Sequence, residues 1–594
     1  MPRWRLRRTL GRVMAEILDG VMQNPAEAAS ERALSEVYAC IEGARNFRLE
    51  AGAGAGKTYS LVKALQFLIE RNSLSLRRRS QRVACITFTN VAKNEIEART
   101  DRSPLIYCDT THAFCWSLIS GFQKQLRDFV RELPAWAELI ESAGRIDECA
   151  ISYTLGYRGI KEGQVTLHHD DVLALTIRMM GFLKFRQLVA DQYPFILIDE
   201  YQDTDAGLVE AIENNFLGEE GSPTFGFFGD HWQKIYGNGC GHIEHPSLTV
   251  IGKEANFRSV ITIVDCLNRM RPELPQSVVN PEDIGSVHIF HTNAWGGQRQ
   301  TGQHWGGDLP NELAHATLNR VIELLMAEGW DFSPSKTKIL MLTHRGLAGE
   351  QGYASLPQVF RYNDSYTKKE HPHIAFFVDV LEPACDAFTD KKYGAMFEAL
   401  GGAVPAIRSK ADKELWVAAM DQLVALKTDG TVGQVIDLLR HTHRPRLPDN
   451  VERREHELEI FVKQAGEEMP RSLQELESLR GVPYKEITAL RRYLVGHSPF
   501  ETKHGVKGAE FENVLVVVGR GWNQYNFREM LELARGAIPP GRRSAFERNR
   551  NLFYVACSRP KRNLAILFTQ ELTEAALATL QEWFGEETIS ALDF

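Results

Sequence analysis

The sequence predicts an α/β protein built on parallel sheets. One observation is the strand–loop–helix pattern of residues 47–61, FRLEAGAGAGKTYSL, in which a glycine-rich turn separates an apolar run from a helical one. A second is a set of short apolar runs that end at once in polar residues, as at 83–90 and 193–204. Such runs are typical of strands buried on both faces. The length of 594 residues bears on domain number and predicts three or four folding units.

Composition places the chain among ordinary globular proteins, with 43% hydrophobic and 25% charged residues. The net charge of −8 argues against binding nucleic acid over the whole surface, but it allows a local basic groove. The nine cysteines include no Cys-x-x-Cys pair, so we expect a reducing, cytoplasmic location without disulfides or a zinc ribbon. No apolar run approaches the length of a membrane span.

The N-terminal residues 1–12, MPRWRLRRTLGR, are basic, and no long apolar core follows them, so they do not predict a secretory signal. Two interpretations stay open: a flexible arm that touches nucleic acid, or an extension of a chain whose translation begins at Met14. Apolar residues within 26–42 then recur at helical spacing and predict an amphipathic helix before the first strand.

Residues 51–58, AGAGAGKT, predict a phosphate-binding loop. Its glycines allow left-handed conformations that turn backbone N–H groups towards one point, and the following helix adds its positive N-terminal end. Lys57 would reach the β- and γ-phosphates, and the Thr58 hydroxyl would coordinate Mg²⁺. The alternative is a glycine-rich turn that binds nothing. The residues expected to contact nucleotide are Ala51, Gly52, Ala53, Gly54, Ala55, Gly56, Lys57, Thr58 and Tyr59.

Later strand ends carry further polar groups. The apolar run at 193–198 leads into Asp199 and Glu200, and two adjacent carboxylates are destabilising at a buried strand end unless they serve a cation or a reaction. Asp199 is placed to bind Mg²⁺, directly or through water, and Glu200 to orient the attacking water. A solvated acidic turn is the alternative. After the next run, 225–228, Gln233 is placed to read a γ-phosphate.

The second half of the chain returns to an α/β pattern, with strands predicted at 287–290, 339–342, 514–518 and 564–568. Residues of about 348–498 are mostly helical and charged, which predicts an inserted domain. If a second α/β domain folds against the first, Arg258 and Arg559 can both meet the γ-phosphate. Arginine suits this role because it is always charged and its fork matches phosphate oxygens.

With these motifs the chain resembles superfamily 1A helicases of the UvrD/Rep/PcrA type. The motifs occur in family order: AGAGAGKT (51–58), TFTNVAKNEI (87–96), TTHAF (110–114), IDEYQDT (198–204), GDHWQKIYG (229–237), NFRS (256–259), TKHGVKGAEF (502–511) and YVACSR (554–559). The resemblance covers roughly half the chain, and IDEYQDT with a later GDxxQxIYG is its most specific part. Ala51 is the common first loop residue in this family.

The resemblance implies an ATP- and Mg²⁺-dependent motor with two RecA-like domains, each interrupted by a mainly helical insertion. The motor domains would be residues 1–113 with 165–250, and 251–347 with 499–594. The insertions would be 114–164 and 348–498.

The resemblance also implies residue roles. Phe257 would stack on adenine and Glu510 would contact the ribose. Gln233 would sense the γ-phosphate, with Arg258 and Arg559 as cationic clamps. The residues that fall where the family touches single-stranded DNA are Phe88, Asn90, His112, Tyr236, Thr502 and His504.

Three departures from the family limit these expectations. The N-terminal glutamine motif that reads adenine is not recognisable before Phe47. Asn238 stands where the family usually has a base-stacking aromatic residue; Trp232 either compensates or is a core residue. Only a short helix is predicted after Phe568, so we do not expect a helicase–nuclease of the RecB type.

Cys240, His242 and His245 resemble a partial metal site, but an ordinary loop is expected because a fourth ligand is missing.

Two functions share these motifs. The first is a 3′-to-5′ DNA helicase of repair or replication restart, acting on single-stranded and tailed duplex DNA. The second is a DNA-activated ATPase that senses ends or gaps and licenses a partner nuclease, as the resemblance to compact anti-phage proteins of the Gabija type suggests. A catalytically inactive relic is a third interpretation, and the intact Lys57, Glu200 and Arg559 argue against it.

Overall fold

The computed structural model describes residues 24–143, 146–154, 158–161, 163–235, 237–302, 306–341, 344–401, 407–463, 469–495, 500–502, 509–519 and 525–594. The basic N-terminal stretch lies outside these residues. The chain divides into two compact units. The first comprises the described parts of Met1–Val287, Met530–Asn563 and Ala578–Glu586, and the second those of His288–Glu529, Leu564–Leu577 and Glu587–Phe594.

The described elements up to residue 278 belong to the first unit. Its helices are α1 Pro25–Glu42, α2 Lys57–Arg78, α3 Asn90–Arg99, α4 Thr111–Ile119, α5 Gln123–Glu132, α6 Ala137–Ala143, α7 His169–Met180, α8 Leu183–Gln192, α9 Ala206–Asn215 and α10 Ile261–Met270. Its strands are β1 Phe47–Ala51, β2 Val83–Thr87, β3 Ile106–Thr110, β4 Ala150–Tyr153, β5 Gly159–Lys161, β6 Gln164–Leu167, β7 Phe195–Asp199, β8 Thr224–Gly229, β9 Thr249–Lys253, β10 Ala255–Asn256 and β11 Ser277–Val278. Short 3₁₀ helices are Pro134–Trp136, Tyr201–Asp203 and His231–Gln233.

The main sheet of the first unit has six strands in the order β3-β2-β7-β8-β1-β9, and all neighbouring pairs are parallel. Every residue of β1, β2 and β8 is buried, as the continuous apolar runs predicted. The register pairs Thr87 with Thr110 and Glu50 with Gly229, so the carboxyl ends of the strands share one edge. The predicted parallel α/β fold is confirmed.

Between β3 and α7 the chain forms a small satellite that is less purely helical than expected. Three short strands make a second sheet in the order β4-β6-β5, with β4 parallel and β5 antiparallel to β6. Strands of three or four residues are too short to show a clear alternation in the sequence, which explains why they were not predicted. Aromatic residues form much of its core: Trp136 and Phe129 are buried, and Trp116 packs against the same cluster.

The later described helices are α11 Asn311–Ala327, α12 His344–Gln351, α13 Leu356–Val359, α14 Asp364–Thr367, α15 Pro372–Phe376, α16 Glu382–Thr389, α17 Tyr393–Leu400, α18 Lys410–Asp429, α19 Val432–Thr442, α20 Asp449–Lys463, α21 Arg471–Arg480, α22 Lys485–Leu494, α23 Phe527–Leu533, α24 Arg543–Cys557 and α25 Glu574–Phe584. A π-helix covers Phe377–Leu381, and 3₁₀ helices cover Pro540–Arg542 and Glu586–Thr588. The strands are β12 Ser286–His291, β13 Thr337–Met341, β14 Phe500–Thr502, β15 Phe511–Val518, β16 Pro560–Phe568 and β17 Ile589–Ala591.

The second unit contains a six-stranded sheet in the order β14-β13-β15-β16-β12-β17. The strands predicted in this half overlap β12, β13, β15 and β16. Helices α12–α22 fill the chain between β13 and β14, where a helical insertion was predicted, and they enclose their own apolar cluster, which includes Phe377, Trp416 and Tyr484. Among the described residues, no helix is long and apolar enough to cross a membrane.

Candidate active site

The loop between β1 and α2 has the backbone that a phosphate-binding loop requires. Gly54 and Gly56 have φ of 75° and 74°, in the left-handed region that side chains disfavour. A Cβ on Gly52 would lie 2.7 Å from Nε2 of Gln276, and one on Gly54 would lie 2.7 Å from Oδ1 of Asn256. Gly54 is therefore favoured by both its conformation and its close packing, Gly56 by its conformation and Gly52 by its close packing. Gly56 caps the N-terminus of the 22-residue helix α2.

The NFRS segment holds this loop from the side. Asn256 donates from Nδ2 to the carbonyl oxygen of Ala53 at 3.1 Å, and the backbone N–H of Phe257 donates to the carbonyl oxygen of Gly54 at 2.9 Å. Gln276 donates to the Ala53 carbonyl oxygen as well, at 3.2 Å. The role of Gln276 was not predicted, because no motif includes it and its partner lies 223 positions earlier in the chain.

The adjacent carboxylates at the end of β7 face the loop lysine. The ammonium of Lys57 lies 3.8 Å from Oε2 of Glu200, and Gln202 donates from Nε2 to the same carboxylate. Asp199 is buried and accepts the backbone N–H of Glu200 at 3.0 Å. Glu200 itself has φ 48°, a left-handed conformation that is uncommon for a residue other than glycine and is often found at functional sites. The acidic turn is therefore a built feature next to the loop.

A buried ionic network lies behind the predicted sensor Gln233. Asp230 is fully buried and accepts Nε2 of Gln233 at 2.7 Å and Nη1 of Arg271 at 2.6 Å. Arg271 also approaches Glu50 of β1, with Nη2 3.6 Å from Oε2. The sequence did not indicate either Arg271 or Glu50; the signal for Glu50 was a pair of opposite charges, Arg48 and Glu50, within a short buried strand.

Glu50 is held ionised by its neighbours. Burial acts to raise its pKa, but the hydrogen bond and charge of His231, the hydroxyl of Tyr201 and the charge of Arg48 together lower the pKa to about 2. Glu50, His231 and His242 have ligand atoms within 4.8 Å of one another. Because the guanidinium groups of Arg48 and Arg271 already neutralise Glu50, this arrangement is an ion-pair network and a poor site for a cation.

Cys240 and His245, the other members of the predicted partial metal site, lie outside that group. The thiol of Cys240 donates to the carbonyl oxygen of Tyr201 at 3.1 Å, and Nδ1 of His245 lies 2.8 Å from the hydroxyl of Ser247. Among the described residues, the stretch from Cys240 to His245 therefore presents no shared ligand set.

The two predicted clamp arginines lie next to each other. Arg258 donates from Nη1 to the carbonyl oxygen of Ser558 at 3.0 Å. Arg559 is 1% exposed and donates from Nε to the carbonyl oxygen of Val555 at 2.9 Å. Burial, followed by the charge of Arg258, lowers the pKa of Arg559 to about 9, and the charge of Glu200 opposes this shift. The three predicted residues Arg258, Arg559 and Glu200 thus lie within electrostatic range.

Trp232 is a packing residue, which decides between the two roles considered for it. Its ring packs edge-on against Tyr554, with centroids 5.3 Å apart, and the Arg550 guanidinium lies 3.8 Å from the ring centroid. Asn551 donates from Nδ2 to the carbonyl oxygens of His231 and Lys234 at 3.0 and 3.3 Å. Helix α24 is therefore attached directly to the segment that carries Gln233.

Three of the residues predicted to contact DNA lie at the ends of two neighbouring strands, β2 and β3. Phe88 follows β2 with 41% of its surface exposed, and Asn90 opens α3. His112 follows the adjacent strand β3; burial, and then the charge of His169, lower its pKa. In the second unit, Thr502 ends β14 and Glu510 precedes β15. Tyr236 and His504, and the side chain of Thr502, lie outside the described residues.

The donor set fits a nucleoside triphosphate with Mg²⁺. The loop offers a glycine cradle at a helix N-terminus together with the ammonium of Lys57, which is the arrangement that binds phosphate. The Thr58 hydroxyl and the Asp199 carboxylate are oxygen ligands of the kind that Mg²⁺ prefers. Strands β1 and β7 deliver these groups, and β8, which lies between them, delivers Gln233, whereas β3 and β2 deliver predicted DNA contacts.

Comparison with known proteins agrees with this arrangement. Residues 37–238 match the family described as an AAA domain. The chain is 21% identical over 695 aligned residues to Gabija protein GajB of Bacillus cereus strain HuB5-5, with 94% of this chain and 97% of GajB covered. It is 23% identical over 280 residues to ATP-dependent DNA helicase PcrA of Staphylococcus aureus strain Mu50, covering 37% of each chain.

The chain therefore has the features of a UvrD-like P-loop NTPase, and the predicted resemblance to superfamily 1 helicases and to Gabija-type proteins is confirmed. The activity that these similarities support is that of a superfamily 1 helicase-type ATPase.

Proposed function

We propose that this protein is an ATP-dependent DNA translocase and helicase that moves 3′-to-5′ along single-stranded DNA. The observation that supports this most is the division of one sheet edge. Three adjacent strands, β7, β8 and β1, carry Glu200, the sensor Gln233 and the phosphate loop, while the next two, β2 and β3, carry Phe88 and His112. An ATP site and a strand path on one rigid sheet are what coupling of hydrolysis to movement requires.

In this proposal the loop backbone and Lys57 hold the β- and γ-phosphates. Thr58 and Asp199 would hold Mg²⁺, which when bound neutralises phosphate charge. Glu200 orients the attacking water, and Gln202 fixes the Glu200 carboxylate. Arg258 and Arg559 stabilise negative charge that develops on the transferred phosphoryl group.

Gln233 reports the state of the γ-phosphate. Its amide is fixed by Asp230, which Arg271 fixes in turn, so a shift of Gln233 is transmitted to a rigid buried network. Tyr59 and Phe257 offer faces to the base, and the resemblance to the helicase family assigns Glu510 to the ribose. Such positioning by locked side chains is what phosphoryl transfer chiefly needs.

For the whole chain we assign motor domains to residues 1–113 with 165–250 and to 251–347 with 499–594, and insertions to 114–164 and 348–498. The strand would pass over Phe88, Asn90 and His112 and over Tyr236, Thr502 and His504. Aromatic residues of this set stack on unpaired bases without sequence preference.

A second candidate is a DNA-activated ATPase that licenses a partner nuclease in anti-phage defence. One observation favours it: GajB, a Gabija protein, matches 94% of this chain, whereas the helicase PcrA matches 37%. The match to GajB therefore includes most of the helical insertion at 348–498. The motor residues serve both candidates equally.

ATP hydrolysis and strand displacement, measured together on single-stranded, 3′-tailed, 5′-tailed and blunt DNA, test these proposals. We expect hydrolysis stimulated by single strands and displacement of the 3′-tailed duplex alone, with Lys57→Ala as the inactive control. Stimulated hydrolysis without displacement of any substrate would favour the ATPase that licenses a nuclease. Absence of DNA-stimulated hydrolysis would contradict both candidates.

A further inference from the structure

Lys253, the last residue of β9, is a fully buried cation beside the phosphate loop. Its ammonium donates to the carbonyl oxygen of Gly56 at 3.2 Å and to the hydroxyl of Ser60 at 2.6 Å. Both acceptors are neutral, and the described residues supply no carboxylate within ion-pair distance of Lys253. Burial alone lowers its pKa to about 8, which leaves it mostly protonated at pH 7. A buried charge without an opposite charge destabilises the folded state.

The same ammonium touches the two aromatic rings next to the loop. It lies 5.7 Å from the ring centroid of Tyr59 and 5.8 Å from that of Phe257, both within the range of cation–π attraction. These rings are 48% and 43% exposed, so their outer faces are open to a ligand. A Cβ on Gly56 would lie 3.6 Å from the Lys253 ammonium and 3.8 Å from atoms of each aromatic residue. The three side chains therefore meet at the first turn of α2.

We propose that Lys253 is a positioning residue of the nucleotide site, whose ammonium acts as a buried countercharge that the triphosphate neutralises. This inference rests on the proposed function, since it assumes that the loop binds a nucleoside triphosphate. Without nucleotide, the ammonium lies beside the positive N-terminal end of α2, and in the part of the chain that the structure describes its hydrogen-bond acceptors are both neutral. Bound phosphates bring several negative charges to this point, while Lys253 keeps Tyr59, Phe257 and the start of α2 in one arrangement.

Replacing Lys253 by methionine separates this role from a purely structural one. Lys253→Met keeps the apolar stem and removes the unbalanced charge, so the nucleotide-free protein should unfold at the same or a higher temperature. ATP affinity should nevertheless fall about tenfold or more, because the countercharge is gone. KM should rise with little change in kcat, since the interaction is made equally in the bound and reacting states. Lys253→Arg, which keeps the charge, should bind within about threefold of the wild type.

A matched control is Lys63→Met on α2. Lys63 also places an ammonium near the Tyr59 ring, at 5.6 Å, but it is only partly buried and forms no hydrogen bond with the described residues of the loop. This variant should bind nucleotide within about twofold of the wild type, because an exposed cation contributes little. Lys253→Gln, which keeps a hydrogen-bond donor but no charge, should weaken binding as Lys253→Met does.

The measurements are calorimetric titration with a non-hydrolysable ATP analogue and thermal unfolding with and without that analogue. Unchanged ATP affinity in Lys253→Met would overturn the proposed countercharge. So would a loss of affinity in both Lys253→Met and Lys253→Gln that is accompanied in each variant by a loss of thermal stability. If the wild-type protein bound no analogue, the proposed function itself would fail before Lys253 came into question. Loss of binding in both neutral variants with retention in Lys253→Arg is the expected result.

Discussion

At the scale of single residues, Glu200 is set apart by its backbone. Its left-handed conformation would be relaxed by glycine, yet a carboxylate stands there, held by Gln202 and facing Lys57. A strained residue persists only where its surroundings fix it, and such positions cluster at active sites. This supports Glu200 rather than Asp203 as the carboxylate that acts on water.

Lys57→Ala and Glu200→Gln should both abolish DNA-stimulated ATP hydrolysis but differ in binding. Lys57→Ala removes a positive charge from the phosphates, so nucleotide affinity should fall. Glu200→Gln keeps the pocket and disturbs only the attacking water, so ATP should still bind. Equilibrium binding of a fluorescent nucleotide, read beside phosphate release, distinguishes the two. Hydrolysis by Glu200→Gln at the wild-type rate would remove Glu200 from the role of catalytic carboxylate.

Arg271 offers a second prediction, about stability. It is almost fully buried between Asp230 and Glu50, so Arg271→Met leaves the buried Asp230 without its guanidinium partner and Glu50 with that of Arg48 alone, and it should destabilise the protein by about 3–5 kcal/mol. The control is Arg562→Met, which breaks a half-exposed pair with Asp283 at 2.9 Å and should cost about 1 kcal/mol or less.

Urea unfolding of the Arg271 and Arg562 variants gives both numbers. The dependence of the free energy of unfolding on acid pH should follow the protonation of Glu50. Because its folded-state pKa is lowered to about 2, its stabilising effect is fully present above its ordinary pKa and is lost as the pH falls towards 2. Equal destabilisation by the two arginine variants would mean that the buried network contributes no more than a surface pair.

At the scale of elements, the sequence was most informative where strands are continuous apolar runs. β2, β7 and β8 were predicted because an apolar run buried on both faces needs no periodicity to be recognised, whereas β1, which contains Arg48 and Glu50, was predicted from the glycine-rich loop that follows it. The strands β4–β6 were not, because they are short and lie in a polar stretch. Once the apolar strands were predicted, the polar motif segments could be placed at their carboxyl ends, because each motif comes directly after a strand in the sequence.

The residues that the sequence did not indicate share a physical reason. Lys253, Gln276 and Arg271 are single polar side chains, and the contacts that give them a role, to Gly56, Ala53 and Asp230, join residues between 41 and 223 positions apart in the chain. Their contacts arise from strand order and helix packing, which no local pattern records. The roles assigned to Phe88, Glu510 and the clamp arginines stay predictions.

Helix α24 and the residues that follow it carry the third prediction. The helix is bonded to the sensor segment through Asn551, and Arg559 follows its end beside Arg258. Arg559→Ala should lower turnover by a factor on the order of 10³ or more with little loss of ATP affinity, because arginine acts on charge that develops during phosphoryl transfer. Single-turnover hydrolysis measures this step directly. A decrease of less than about tenfold would mean that Arg258 replaces Arg559 or that Arg559 lies away from the phosphate.

At the scale of the whole molecule, a net charge of −8 restricts how the chain can hold DNA. A long cationic surface is excluded by this balance, so a bound strand must rely on a local path and on stacking as much as on phosphate contacts. Phe88 is the described aromatic residue best placed for this, because it is exposed at the carboxyl end of β2, beside the strand end that carries His112.

Phe88→Ala should therefore uncouple movement from hydrolysis. Stacking of a base on an aromatic ring contributes about 1–3 kcal/mol, and a motor must form and release this contact in each cycle. ATP hydrolysis should persist at saturating single strand while displacement of a 3′-tailed duplex is largely lost. The control is Phe182→Ala, which removes a phenylalanine that is 51% exposed between α7 and α8 and should leave both activities unchanged. Thermal unfolding separates loss of stacking from loss of folding, since a core role for Phe88 predicts that both activities fall together. A folded Phe88→Ala protein that displaces the 3′-tailed strand at the wild-type rate would contradict a DNA path across the ends of β2 and β3.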